Sequence, residues 1–349
     1  MDSNVWTIKR ILDWTRDDLA RHGDEHPRLS AEWLLSAVTG KSRVQLYLDF
    51  DQPLEPAELA AMRQAIQRRR AGEPLQYVTG EMPFRHIVIH CERGVLIPRP
   101  ETEILVDAAL EGVDAAIARR EGTGAEKGAP LEEEDAAAKT GAPASEQAAV
   151  DEEPAAAAAE KEPPAPLDPA TVPASWARVA DLCCGTGCIA LSVASERDRC
   201  AVWAGDLSPQ AAGLTERNRD ALSLQDRVAV AQGDLFSALP PELCGTLDVL
   251  VSNPPYIPSA VVPTLPQEVV GFEPGIALDG GEDGLDLFRR LLVGAPEWLA
   301  PGGMLCVELF EESLDQAAEL ACAQGGWASV EARQDLAGRP RVLVCVRER

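Results

Sequence analysis

Between residues 176 and 349 the chain alternates short apolar runs with helix-length stretches, and this rhythm limits its possible folds more than any other feature. The candidate strands are RVADLCC (178–184), AVWAGD (201–206), VAVAQGD (228–234), LDVLVS (247–252) and GMLCVEL (303–309), closed by WASVEAR (327–333) and RVLVCV (341–346). Parallel neighbours need long crossovers, which the intervening segments are long enough to supply. The pattern therefore predicts an α/β fold with a Rossmann-like, doubly wound and largely parallel sheet. In such sheets ligands bind beyond the carboxyl ends of the strands. The residues at those ends decide what the chain does.

A chain of 349 residues exceeds one hydrophobic core, and its first hundred residues read differently. Val5, Ile8, Leu12, Thr15 and Leu19 fall near helical spacing. RLSAEWLLSAVTG (28–40) offers Ser30 as a cap and Gly40 as a stop; PAELAAMRQAIQRRRAG (56–72) opens on Pro56 and ends at Gly72. Its basic end, QRRR, reads as a solvated helix C-terminus suited to the macrodipole. A small helical bundle over 1–75 is the expectation. PFRHIVIHCERGVLIP (83–98) alternates and breaks at Glu92-Arg93-Gly94, which predicts a β-hairpin linker over 76–100. The third unit is 101–349, opening with a helix at RPETEILVDAAL and interrupted at 112–175. Residues 121–170 hold sixteen Ala, seven Pro and thirteen Asp/Glu against three Lys. Such a stretch buries too little to offset its ordering entropy and reads as a disordered, tolerated insertion.

Composition excludes several classes. The net charge is −25, and even without 121–170 the acids dominate, which argues against stable nucleic-acid binding. Nine cysteines form no C-x-x-C pair and suit a reducing compartment; four histidines form no metal-spaced set, so no metal is expected. With no run of 18 apolar residues and no signal-peptide pattern at the start, the expectation is a cytoplasmic monomer without membrane contact.

DLCCGTGCIALSVA (181–194) ends a strand, turns on Gly185 and Gly187, and opens a helix, so a ligand can approach the backbone closely. Nineteen residues after Gly187 comes Asp206, placed to accept from both hydroxyls of a ribose. Asp234 and Leu235 at the next tip could meet an adenine by a polar edge and an apolar face. Dinucleotide and S-adenosylmethionine sites share this logic. The fourth tip, Asn253-Pro254-Pro255-Tyr256, follows a strand with two residues that lack the ladder N–H.

The ordered set GEPLQYVTG, LIPRPETE, DLCCGTGCIALSVA, GDLSPQA, GDLFSAL, VSNPPYI, ALDGGEDGLD and PGGMLCVELFEE resembles the HemK/PrmC family, everywhere except the insertion. The resemblance implies a class I methyltransferase domain and a substrate-recognising N-terminal bundle. The implied reaction is methylation by S-adenosyl-L-methionine of the glutamine amide nitrogen in the Gly-Gly-Gln motif of peptide-chain release factors, with S-adenosyl-L-homocysteine as product. It implies that Cys183, Cys184, Gly185, Thr186 and Gly187 line the methionine part of the cofactor, Asp206 the ribose, and Asp234 with Leu235 the adenine. Asn253, which also borders the cofactor, would join Pro254, Pro255 and Tyr256 in holding the target amide. Two departures stand out: Cys183 replaces the family's first glycine, and Phe310 stands where a glycine is usual. The paired cysteines also admit a redox reading, with small apolar filling as the simpler one.

The chemistry fits the residues. A carboxamide nitrogen is a poor nucleophile because its lone pair is delocalised. Two acceptors on its N–H groups, the Asn253 side-chain oxygen and the Pro254 carbonyl, would aim it and free that pair, and Tyr256 can stack on the flat amide. No strong general base is needed before transfer. The same grip suits two other targets: a glutamine in a ribosomal protein, or the adenine or cytosine amino group of a nucleic acid. An inactive binding module is the remaining reading.

Overall fold

The computed structural model describes residues 5–122 and 167–349. Four helices build the N-terminal bundle: α1 (Ile8–Arg21), α2 (Pro27–Thr39), α3 (Arg43–Leu48) and α4 (Pro56–Arg70). The Thr7 side chain caps α1 by accepting from the Arg10 N–H, while Val5 stays outside the helix and exposed. Ile8, Ile11, Leu12 and Leu19 then pack with Leu34, Leu35, Leu46, Met62 and Ile66. Gly40 ends α2 at φ 69°, as its sequence position suggests. Ser30 does not cap α2: Pro27 opens the helix, and the buried Ser30 hydroxyl donates to Asp24. Of the arginines ending α4, Arg68 and Arg70 stay exposed, as a solvated end requires, and Arg69 is largely covered; all three are ion-paired. Arg68 pairs with Glu73, Arg69 with Asp24 and Glu268, and Arg70 with Asp18. Asp18 and Asp24 are buried acids, and a buried charge requires a partner.

After α5 (Leu75–Thr79) comes a hairpin, β1 (Glu81–Phe84) with β2 (Ile87–His90). Its turn falls at Arg85-His86 rather than at Glu92-Arg93-Gly94. Arg85 adopts φ 50°, and its guanidinium is held by Glu196 and Asp107, bonds that offset the strain of that conformation. α6 (Glu103–Gly122) crosses the boundary that the sequence places at 112. Gly112, Val113 and Ala116 are core residues there, because a Cβ on Gly112 would come within 2.6 Å of Val249. Arg119 and Arg120 pin the helix end to buried Asp248. Small residues at 112–116 thus serve close packing. Residues 167–175 form turns that lead into the sheet, and the rest of the expected insertion lies outside the described residues.

The sheet contains β3 (Ala177–Leu182), β4 (Cys200–Asp206), β5 (Val228–Gln232), β6 (Leu247–Ser252), β7 (Leu299–Glu308), β8 (Trp327–Gln334) and β9 (Pro340–Arg347), in the order β5-β4-β3-β6-β7-β9-β8. The first five are parallel; β9 and β8 add antiparallel at the far edge. The linking helices are α7 (Cys188–Glu196), α8 (Pro209–Ala221), α9 (Gln267–Val270), α10 (Asp286–Trp298) and α11 (Leu314–Gln324). One face of the sheet packs on α6, α7 and the hairpin, the other on α10 and α11. Val179, Leu182, Leu250 and Val251 are fully enclosed, each contributing about 1.5–3 kcal/mol by burial. The bundle meets the segment after β6 through Arg69–Glu268, and the linker after β2 meets it through the Arg93 guanidinium 5.3 Å above the Phe272 ring. Among the described residues no helix is long and apolar enough to cross a membrane.

Candidate active site

The strand order reverses between β3 and β6, and Leu182 pairs with both Ser252 and Gly205. Cys183, Asp206 and Asn253 therefore leave three adjacent strands at one level. Around that level lies a cavity of about 270 Å³ lined by Cys183, Cys184, Gly185, Thr186, Asp206, Asp234, Leu235, Asn253 and Pro255, with Arg99, Thr102 and Arg290 added. Pro254 and Tyr256 do not line it. They share with Asn253 an adjoining cavity of about 210 Å³, lined also by Leu265 and Val269. Gly187 lines neither. It begins α7 at φ 82°, where a Cβ would stand 2.7 Å from Thr215 Cγ2.

The glycine turn is braced from α8. Thr215 donates to the Gly185 carbonyl (3.0 Å), and Asn218 donates to the carbonyls of Thr186 (2.9 Å) and His90 (3.1 Å), tying the turn to the hairpin. Gly185 has φ 59°, and a Cβ there would meet nothing within 4 Å, so its backbone lies open to the cavity. Cys183 occupies φ 63°, a left-handed conformation costing a side chain about 1 kcal/mol. The loop accepts it in place of the family's first glycine. Burial pushes its thiol up to about 12, so it is a neutral filler rather than a reactive thiolate. Phe310 has φ −64°, ordinary for any residue.

Three acids differ in their surroundings. Asp206 accepts from the backbone N–H groups of Gly185 (2.9 Å) and Ser208 (2.8 Å); burial nevertheless raises its pKa, the two bonds working against it. Asp234 is exposed, and Arg290 of α10 reaches it at 2.8 Å. Asp181, to which the sequence assigned no role, is completely buried under the turn. It accepts from the Ala190 N–H at 3.0 Å, leaves Oδ1 without a partner, and is pushed up to about 8 by that burial.

The N-P-P-Y stretch is held from two sides. Gly280 and Gly284 allow the following loop to press on it: a Cβ on Gly280 would lie 2.7 Å from Tyr256 Cα, and one on Gly284 2.3 Å from the Tyr256 carbonyl. That contact explains the glycines of ALDGGEDGLD. Beneath, the Asn253 Nδ2 donates to Thr102 at 3.3 Å, and the Tyr256 hydroxyl donates to Glu308 at 2.9 Å. Burial, then the Glu308 charge, pushes the Tyr256 phenol well up, and burial raises Glu308. Among the described residues neither the Asn253 Oδ1 nor the Pro254 carbonyl accepts a hydrogen bond.

Two family models match the chain: the PrmC N-terminal domain over residues 10–80 and the methyltransferase small domain over 170–270. The release factor glutamine methyltransferase of Geobacter sulfurreducens is 38% identical over 305 residues, spanning 87% of this chain and 84% of that one. Its counterpart in Moorella thermoacetica is 35% identical over 341 residues, 98% and 99% of the two chains. The chain belongs to the release factor glutamine methyltransferase family. A further member, from Rhodopirellula baltica, is 32% identical over 338 residues, 97% of this chain and 95% of that one.

Membership covers the bundle, the hairpin and the sheet alike. Sequence reasoning missed Asp181, Thr215, Asn218, Arg290, Thr102 and Glu308 as site residues. Three of them carried a signal: Asp181, Thr102 and Glu308 stand in the family stretches DLCCGTGCIALSVA, LIPRPETE and VELFEE.

Proposed function

We propose that this enzyme transfers the methyl group of S-adenosyl-L-methionine to the amide nitrogen of the Gly-Gly-Gln glutamine in peptide-chain release factors. The cavity fits that cofactor. The open backbone at Gly185 can lie against its methionine part, Asp206 has lone pairs left for ribose hydroxyls, and Leu235 gives an apolar face for a base whose edge meets Asp234. When bound, the cofactor supplies a methyl group made electrophilic by its sulfonium.

The residues of the chain do the rest. Asn253, which lines both cavities, and Pro254, which lines the second, offer two unengaged acceptors, Asn253 Oδ1 and the Pro254 carbonyl, that suit the two N–H groups of a carboxamide. Gripping both hydrogens turns the nitrogen toward the cofactor side and weakens its conjugation. The prolines hold the second acceptor in place before the target arrives, so little reorganisation remains. Tyr256, anchored through its hydroxyl to Glu308, presents its ring to the flat amide. The carrying observation is this pair of unengaged acceptors, beside a cavity whose other wall suits the methyl donor.

The test uses radiolabelled S-adenosylmethionine with three acceptors: a release factor, a ribosomal protein and an oligonucleotide. Label is expected on the release factor and is expected to vanish when its Gly-Gly-Gln glutamine is replaced. Label on the replaced factor, or only on another acceptor, would overturn the reading.

A further inference from the structure

One stretch of chain lines both cavities and is held from the N-terminal units. Leu265, Val269 and Ala277 line the cavity that Pro254 and Tyr256 share, and Ile276 with Ala277 lines the cofactor cavity. Between β6 and α10 this stretch has only single helical turns, α9 among them, so its own backbone bonds give it little rigidity. Three arginines of the bundle and the linker meet it between 268 and 273: Arg69 pairs with Glu268 at 2.8 Å, Arg93 lies 5.3 Å above the Phe272 ring, and Arg99 pairs with Glu273 at 2.6 Å. We propose that Arg69 is a positioning residue for the target side of the site: with Arg93 and Arg99 it straps 265–277 in place as a wall of the pocket, so that the bundle shapes the site from a distance.

A surface ion pair is usually worth little, because two long side chains must be ordered to make it. Arg69 is ordered before Glu268 arrives. Its side chain is 13% exposed, and its guanidinium already donates to buried Asp24 at 2.7 Å and to the Glu73 carbonyl at 3.0 Å. Asp24 in turn takes the Ser30 hydroxyl of α2 at 2.9 Å, which fixes the anchor within the bundle. Only the half-exposed Glu268 side chain is left to order. Glu268 and Val269 are neighbours in α9, one meeting the bundle and the other lining the cavity, so a hold on the first steadies the second. A wall in place for part of the time binds its target only in that fraction, and the apparent affinity falls by the same factor. Once the target is seated, the acceptors at Asn253 and Pro254, on a different segment, act as before. The strap therefore governs binding of the target rather than the transfer step.

This inference rests on the proposed reaction for what the cavity holds, and its test has an arm that does not. Glu268→Ala removes the pair and leaves Arg69 with its buried partners. The KM for the release factor is expected to rise about 3- to 10-fold, the scale of one ordered, charged hydrogen bond. The kcat, the cofactor Kd and the thermal midpoint should stay at wild-type values. Glu268→Gln keeps an acceptor for Arg69 and should fall between wild type and Glu268→Ala. In the free enzyme the backbone N–H groups of Val269, Val270 and Gly271, bonded to the carbonyls of Pro266 and Gln267, should exchange with solvent faster in Glu268→Ala than in wild type. A wild-type KM in Glu268→Ala, or a lowered thermal midpoint with KM unchanged, would overturn the proposal. So would a raised KM with unchanged exchange at 269–271, which would make Glu268 a direct contact of the release factor. Should wild-type enzyme leave the release factor unlabelled, the target reading fails while the exchange arm still decides the strap.

Discussion

The two walls of the cavity are built by opposite means. At the tips of β3 and β5 the backbone carries the shape: Cys183, Gly185 and Leu235 take left-handed φ, at 63°, 59° and 49°, and Gly187 behind them starts α7 at 82°. Beyond β6 the prolines settle the backbone, and polar side chains on three separate segments supply the directionality. A wall of backbone tolerates exchange of side chains as long as the conformation remains reachable. A wall of side-chain polarity tolerates little, since one lost atom leaves a buried partner unpaired.

The largest expected effect is on the polar wall. Asn253→Ala should lower turnover by about 10²-fold or more, the scale of losing one preorganised contact, with cofactor affinity kept when measured by calorimetry. A variant that loses cofactor binding instead would erase the distinction between the walls. On the backbone wall, Gly187→Ala puts a Cβ against Thr215 at φ 82°; a loss of about 2 kcal/mol or more is expected in urea unfolding.

Asp181 sharpens the contrast through pH. Burial pushes it up to about 8, above its value in the unfolded chain, so its contribution is fully present where both forms are neutral and is lost as pH rises through about 8. Asp181→Asn cannot ionise. Its stability relative to wild type should therefore increase from acid toward pH 8, read from urea midpoints; a pH-independent difference would remove the buried acid from the account. Smallest is Cys183→Gly. Relief of the left-handed side chain and the greater freedom of glycine when unfolded oppose each other, so stability should move by less than about 1 kcal/mol. Cofactor affinity should stay within about two-fold of wild type, since the turn keeps its backbone shape.

The backbone wall was largely legible in the sequence. Glycine spacing, an acid at each strand end and a helix start are local signals, and Cys183, Gly185, Asp206, Asp234 and Leu235 line one cavity. Local signals also misled. The alternation at 83–98 pointed to a turn at Glu92-Arg93-Gly94, but the bonds of Arg85 to Glu196 and Asp107 put it at Arg85-His86. The small residues from 112 onward resembled the start of a low-complexity stretch, yet Gly112 lets α6 approach Val249. At the QRRR end of α4 only Arg69 departs from a solvated end, and the buried acids that Arg69 and Arg70 pair with, Asp24 and Asp18, lie on other segments.

By itself the sequence determined the strand–helix rhythm, the turns that glycine and proline permit, and the residue types offered at each strand tip, because periodicity and φ restriction act over a few positions. Only the tertiary structure decided which side chains meet. Asn253 finds Thr102 across 151 positions and Tyr256 finds Glu308 across 52. Those meetings follow from strand order and register, which depend on how whole faces pack rather than on any short stretch.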